Sequence, residues 1–365
     1  MFQGIFLDTQ DTDKRFAELM STQGPQGLNV TFEKPRELLT QAQQIWERQP
    51  DLVALDYRLN DTQNQQSLNY KAGALAQQLR DCVMESVTLD FPIILVSNKD
   101  DINAFFDNVT ANNLFDHCFS KEELGHSSNT SSRIILSLVA GYKQLIKKWN
   151  HPERWSTLLG LSDSEKIRVG YQAIRELDQL KAPHQVARDI LHYVIDRPGL
   201  LLDQDNVLAE LGIAKAGKDV DTLLEILHQN FVQYTGIFSE GWTRWWSHRL
   251  EEWGKALCDE HLGNLTARQR VSCLNKKLAL NLSPAKSRWE NHSDALFAFA
   301  CDSCHQPTED QYSVAIYDPL PYMFVRSKRI CWKCVETGEF EYQGLEIDED
   351  EESIVEMILN GEIRK

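Results

Sequence analysis

DLVALDYRL, residues 51–59, sets four apolar residues in a row before Asp56 and then returns to more polar chain. An unbroken apolar run lacks the alternation of a half-buried strand, so it fits a strand covered on both faces, as in a parallel sheet. The surrounding chain repeats the pattern. GIFLD (4–8), LNVTFE (28–33), PIILVSN (92–98) and FDHCFSK (115–121) read as four further strands. Between them, Asp11 to Met20, Lys34 to Glu47 and Lys71 to Val83 read as helices, and Ser131 to Trp149 closes the series. Strand and helix alternating at this interval predict a doubly wound α/β domain over residues 1–149. Its five-stranded parallel sheet would place ligands beyond the carboxyl ends of the strands.

Those ends carry the chemistry: Asp8 closes the first strand, Asp56 the third and Ser97 the fourth, and Lys121 follows the fifth. On these residues the first 125 or so positions resemble the receiver domain of two-component response regulators. That family has the flavodoxin-like strand order 2-1-3-4-5. The resemblance implies that Asp56 accepts a phosphoryl group, that Ser97 hydrogen-bonds it and that Lys121 pairs with it. It also implies Mg²⁺ held by acidic residues at the end of the first strand, which suits an ion that prefers a few carboxylates and offsets phosphoryl charge.

LDYRL (55–59) and FDHCFSK match the family, and two features depart from it. The acidic pair is reduced to Asp8-Thr9, leaving Asp11 as the nearest substitute. The segment from Asp56 to Ser97 is long, its extra residues falling in NDTQNQQSLNY (60–70). The weakened pair points to a degenerate receiver, a fold kept as a docking surface rather than a phosphorylation switch. Receivers with such an insertion resemble components of bacterial conflict and anti-phage operons, where they accompany ATPases or effectors.

Residues 150–296 read as an all-helical domain. Helices are predicted at 161–180, 185–196, 204–211, 218–228, 242–257 and 266–279, with Ser162 and Glu165 as a capping box. Two helices around the turn at 211–219 suggest a helix-turn-helix, but charge opposes contact with phosphates. Asp203, Asp205, Glu210, Asp219, Asp221 and Glu225 stand there against Lys215 and Lys218 alone. In GIFSEGWTRWWSHRLEEW (236–253), Trp242, Trp245, Trp246 and Trp253 fall at helical spacing. Core packing is the ordinary explanation of such a stripe. A partner-binding surface of Trp242, Arg244, Trp245, Trp246 and Arg249 is the functional one, since Trp and Arg are common in interface hot spots. Basic residues gather at 266–288, among them Arg268, Arg270, Lys276, Lys277, Lys286 and Arg288. They read as a solvated helix face, or as a surface for an acidic partner or the protein's own acidic tail.

Residues 297–365 hold two CxxC pairs, Cys301 with Cys304 and Cys331 with Cys334. Two such knuckles complete the tetrahedral thiolate shell of a structural Zn²⁺ and leave no open position for hydrolytic chemistry. Strands are expected at 311–318, 322–327 and 338–344, so the spacing resembles a zinc ribbon, a small β-rich module. His305 is a substitute ligand. Cys82, Cys118, Cys258 and Cys273 read as buried apolar residues. The tail from Gly344 is acidic and ends in an amphipathic helix over 353–363.

The whole chain has 365 residues and a net charge of −16, with 42% hydrophobic residues. Its length exceeds one core's usual reach, and its charge disfavours broad contact with nucleic acid. No apolar run approaches the roughly 20 residues of a membrane helix, and the start lacks a basic signal-peptide region, so a cytoplasmic location is expected. Together these features describe a non-enzymatic regulatory or adaptor protein with a receiver-like input domain. Its helical and zinc modules would engage a protein partner such as an ATPase, kinase or effector subunit, without membrane. The alternative is a phosphorylation-controlled response regulator with nucleic-acid-binding output through the zinc ribbon.

Overall fold

The computed structural model describes residues 1–60, 68–84, 86–100, 114–126, 128–169, 177–318 and 325–363. The chain packs as two compact units. The first comprises Met1–Leu191 with Thr235–Trp242, and the second His192–Tyr234 with Thr243–Lys365. The boundary therefore runs through the stretch read as one helical domain. Most of the polar loop expected after Asp56, and the start of the strand expected at 322–327, lie outside the described residues.

The first unit is built on β1 (Phe2–Leu7), β2 (Leu28–Glu33), β3 (Leu52–Leu55), β4 (Ile93–Ser97) and β5 (His117–Ser120). All pair in parallel in the order β2-β1-β3-β4-β5, the doubly wound flavodoxin-like arrangement expected from sequence. The apolar runs explain it: β3 and β4 are buried along their whole length, which only a sheet covered on both faces allows. Helices α1 (Lys14–Met20), α2 (Leu38–Arg48) and α3 (Ala72–Val83) provide cover. In α3, Ala72, Leu75, Ala76, Leu79 and Val83 are buried at helical spacing. The expected helix at 131–149 is Ser128–Lys148. Its Gly141 is required by packing, because a Cβ there would stand 2.1 Å from the Phe238 ring.

A buried ion cluster ties the unit together. Arg80, on the inner face of α3, donates to Asp90 at 3.0 Å, to Asp116 at 2.7 Å and to the Phe91 carbonyl at 2.8 Å. Asp116 also accepts from the Ile93 amide and the Tyr142 hydroxyl. Asp90 accepts from the His184 amide, at the start of helix Pro183–Asp189. The capping box at Ser162 and Glu165 is formed, opening helix Asp163–Arg168.

In the second unit, helix Gln204–Glu210 and helix Val220–Gln229 flank the predicted turn, and the latter exposes Asp221, Glu225 and His228. The expected helix at 242–257 is shorter. Trp245–Trp246 is a two-residue strand paired with Leu201–Leu202, and the helix spans Ser247–Cys258. The C-terminal module has antiparallel pairs Phe297–Ala300 with Pro307–Glu309 and Ser313–Ala315 with Arg329–Cys331. Residues 338–344 correct the strand expected there. Gly338 and Gly344 adopt positive φ and bracket a short 3-10 turn, Glu341–Gln343. The terminal helix is Glu352–Leu359, and Glu351 before it pairs with Arg329 at 3.6 Å. Among the described residues no helix is long and apolar enough to cross a membrane.

Removing Arg80 while leaving Asp90 and Asp116 buried is expected to cost about 3–5 kcal/mol of the first unit's stability. The check is the urea-unfolding midpoint of Arg80→Met. A loss below about 1 kcal/mol would show that the two carboxylates do not depend on the guanidinium.

Candidate functional site

The sheet's register assembles the first site. Leu7 on β1 faces Leu55 on β3, so Asp8 and Asp56, the next residue on each strand, meet at the carboxyl edge. Ser97 ends β4 facing Ser120, and Lys121 follows at the start of helix Lys121–His126. The Lys121 ammonium lies 2.9 Å from Asp8, 2.8 Å from Asp56 and 2.6 Å from Asp13. The Ser97 hydroxyl donates to Asp56 Oδ1 at 3.3 Å. Backbone amides hold the remaining oxygens: Gln10 donates to Asp8 Oδ1 at 2.8 Å and Arg58 to Asp56 Oδ2 at 2.9 Å. A cleft of about 510 Å³ lies beside the cluster and is lined in part by Asp13, Phe16, Asn98 and Lys121.

Four of the residues expected here therefore converge: Asp8, Asp56, Ser97 and Lys121. Asp11 does not. Its carboxylate is 74% exposed and pairs with Lys34 at 2.7 Å, while Asp13 takes the place expected for it. Residues 11–13 form a 3-10 turn, and at three residues per turn positions two apart face different directions. Asp13 was legible only as one of several acidic residues after β1.

Three carboxylates around one ammonium leave surplus negative charge. Burial, then the neighbouring Asp56, pushes the Asp8 carboxyl up to about 6, against the opposing pull of the Gln10 amide and Lys121. Burial works against the charge of Lys121, but Asp56, Asp13 and Asp8 outweigh it and hold the ammonium above its ordinary range. Hard carboxylate oxygens with unbalanced charge are the donor set that Mg²⁺ accepts.

The second cluster is the four cysteines. Their sulfurs all lie within 4.8 Å of one another, a set able to hold a metal ion such as zinc. Sγ separations are 3.8 Å for Cys301–Cys334, 3.8 Å for Cys304–Cys331 and 3.5 Å for Cys331–Cys334. Each knuckle has local support: the Cys331 amide donates to Cys301 Sγ at 3.2 Å, and Cys334 lies in helix Trp332–Thr337. Val314, Ile316, Ile330 and Val335 pack around them. His305 is not part of the set; its ring is exposed and lies 3.8 Å from Asp205.

Of the residues read as a partner-binding surface, the three tryptophans are buried within the protein, and Arg244 and Arg249 are half-buried. Trp242, Trp245 and Trp246 are only 8%, 3% and 1% exposed. Trp246 packs edge-on to Tyr234 at 5.4 Å, and Trp242 to His117 at 5.7 Å. Arg244 donates to the Ile195 carbonyl at 2.6 Å and Arg249 to the Phe231 carbonyl at 2.9 Å. The helical spacing misled because 245–246 is extended chain. Cys258 and Cys273, read as buried apolar residues, form a disulfide that joins the last residue of helix Ser247–Cys258 to the middle of helix Ala267–Leu278. Two basic residues of 266–288 form ion pairs, Arg268 with Asp294 and Arg288 with Glu339.

No family model and no curated protein matches this chain. Among solved structures, it is similar to the signal receiver domain of NarL from Mycobacterium tuberculosis. Identity there is 14% and the TM-score 0.27, over 38% of this chain and 97% of that one. The phosphorylated cyanobacterial phytochrome response regulator RcpA is 15% identical at a TM-score of 0.25, covering 38% of this chain and 94% of its own. NtrX from Brucella abortus in complex with ADP is 15% identical at 0.28, over 49% of this chain and 34% of its own. The assignment of the fold stands on the strand order described above.

The raised Asp8 sets a pH dependence. Its folded value of about 6 lies above the ordinary 3.8, so the folded state holds the proton more tightly. In metal-free buffer this contribution to stability grows as pH falls through 6 and is complete near the ordinary value. Unfolding of wild type and Asp8→Asn compared from pH 7 to pH 4.5 should show wild type gaining on the variant by about 2 kcal/mol. Parallel curves would show that Asp8 carries no such excess charge.

Proposed function

We propose that this chain is a non-enzymatic signalling regulator in which Asp56 accepts a phosphoryl group and the second unit, held by a structural zinc ion, engages a protein partner. The observation that carries the reading is the Lys121 ammonium within 2.9 Å of Asp8, Asp13 and Asp56, with Ser97 on the Asp56 carboxylate. Asp13 offsets the loss of an acidic residue at Thr9, the feature that pointed to a degenerate receiver. In the step proposed, one Asp56 oxygen attacks the phosphorus of a phosphodonor. A P–O bond forms, the bond to the leaving group breaks, and an acyl phosphate remains. Lys121 and Ser97 stand where they can pair with the new phosphoryl oxygens. Mg²⁺ held by Asp8, Asp13 and Asp56 would offset the charge that arrives.

Cys301, Cys304, Cys331 and Cys334 suit Zn²⁺, which takes four thiolates without geometric penalty. Charge speaks for protein rather than nucleic acid as the output target: the net balance is −16, and helix Val220–Gln229 exposes Asp221 and Glu225. The resemblance to long-insertion receivers of anti-phage operons supports an ATPase, kinase or effector subunit as that partner.

Intact mass after incubation with Mg²⁺ and acetyl phosphate tests the first site. The expected result is one added phosphoryl group, absent in Asp56→Ala and with EDTA, reduced in Asp13→Asn and retained in Asp11→Asn. A folded wild type that gains no mass sinks the phosphoacceptor reading. For the second site, elemental analysis is expected to find zinc in equimolar amount with the chain and to lose it in Cys301→Ser. Because metal binding contributes folding free energy, chelation should lower the unfolding temperature of the second unit; an unchanged transition would count against a structural metal.

A further inference from the structure

The four sulfurs are approached by a cation that comes from outside both CxxC pairs. Arg288 Nη1 stands 3.2 Å from Cys334 Sγ and 3.9 Å from Cys331 Sγ. The same guanidinium is held in two places by Glu339, Nη1 to Oε2 at 3.2 Å and Nη2 to Oε1 at 3.3 Å. The next residue, Trp289, packs edge-on against Trp332 at 5.5 Å, and Trp332 lies between Cys331 and Cys334 in sequence. The arginine is thus fixed from both sides.

Charge explains what such a group does. Four thiolates around a divalent ion leave two negative charges, and three of the four cysteines are buried, where a surplus charge is poorly screened. A guanidinium stays protonated at any working pH and presents several N–H donors in one plane. It can hold Glu339 with one pair of donors while another N–H reaches sulfur, which a lysine ammonium cannot do with the same geometry. Hydrogen bonds to a thiolate occupy its lone pairs and lower its nucleophilicity.

We propose that Arg288 is the positioning residue of the four-cysteine metal centre: it offsets the charge of the metal-bound thiolates and shields Cys331 and Cys334 from electrophiles and from protons. Glu339 orients it. The inference rests on the metal reading above and deepens it, because it accounts for a basic residue of the 266–288 stretch that sequence left as a solvated face.

The experiment uses the full chain loaded with zinc, and in parallel with cobalt(II), as wild type, Arg288→Met, Arg288→Lys and Glu339→Gln. Circular dichroism first shows that each variant is folded. Zinc release to a chromogenic chelator is then followed with and without iodoacetamide, and the thiolate-to-cobalt charge-transfer band is recorded. Arg288→Met is expected to release zinc about 10–100-fold faster than wild type, the range for groups that support metal ligands through hydrogen bonds. Its cobalt band should shift to lower energy as the sulfurs lose a donor. Arg288→Lys keeps the charge and should fall between the two, and Glu339→Gln should move in the same direction as Arg288→Met.

Release rates and bands equal to wild type in both arginine variants would overturn the proposal while leaving the metal reading intact. A wild type that binds neither zinc nor cobalt would overturn both. If Arg288→Met does not fold, Arg288→Lys and Glu339→Gln decide: release as slow as wild type in both refutes the role.

Discussion

One ammonium among three carboxylates organises the working edge of the first unit's sheet. Asp8 and Asp56 are adjacent because β1 and β3 pair in register, and both are buried. Two such carboxylates side by side repel, so this edge is unfavourable unless a cation is brought to it. The strand order supplies one. β5 pairs on the far side of β4, and the chain leaving it begins with Lys121, whose ammonium reaches back across Ser97 to both acids. The site is thus a consequence of strand order as much as of residue identity.

Arginines do comparable work deeper in each unit. Arg80 pairs with both Asp90 and Asp116 in the first. In the second, buried Arg270 donates to the carbonyls of Leu265, Glu210 and Phe297, pinning helix Ala267–Leu278 to the strand that leads into Cys301. Burial lowers the Arg270 guanidinium to about 10, the cost of placing a charge there, although Glu210 and Glu251 oppose the shift. The planar fork of guanidinium satisfies several acceptors at once, which makes it the cation that an interior can hold. The first CxxC pair is therefore positioned by a chain of packing that starts outside it.

How much of this was legible in the sequence follows from the range of each interaction. The five strands were readable because continuous apolar runs such as IILV admit few other placements, and the cysteine cluster was readable because CxxC spacing is itself the geometry. Asp13 was not. Whether Asp11 or Asp13 turns inward depends on a three-residue 3-10 turn that residue type alone does not fix. The tryptophan stripe failed for a related reason: a helical period was assumed over a segment whose Trp245–Trp246 dipeptide pairs as a strand with Leu201–Leu202. Arg288 depends on contacts with elements distant in sequence, and the Cys258–Cys273 disulfide depends on how two neighbouring helices pack, for which no local period exists.

The two clusters differ in how far their groups are compensated and in how open they are to solvent. At the sheet edge the compensation is incomplete, with one ammonium for three carboxylates, and Asp13 and Lys121 also line a cleft. A site with residual charge and an approach from solvent can change its occupancy, and any change is felt at once by Lys121, which touches all three acids. At the cysteines the ligands come from two knuckles that face one another, three of the four are buried, and Arg288 with Glu339 covers the side nearest Cys334. Four thiolates leave a metal no open position. Residual charge and access from solvent therefore go with the cluster of Asp8, Asp13, Asp56 and Lys121, and enclosure goes with the four cysteines.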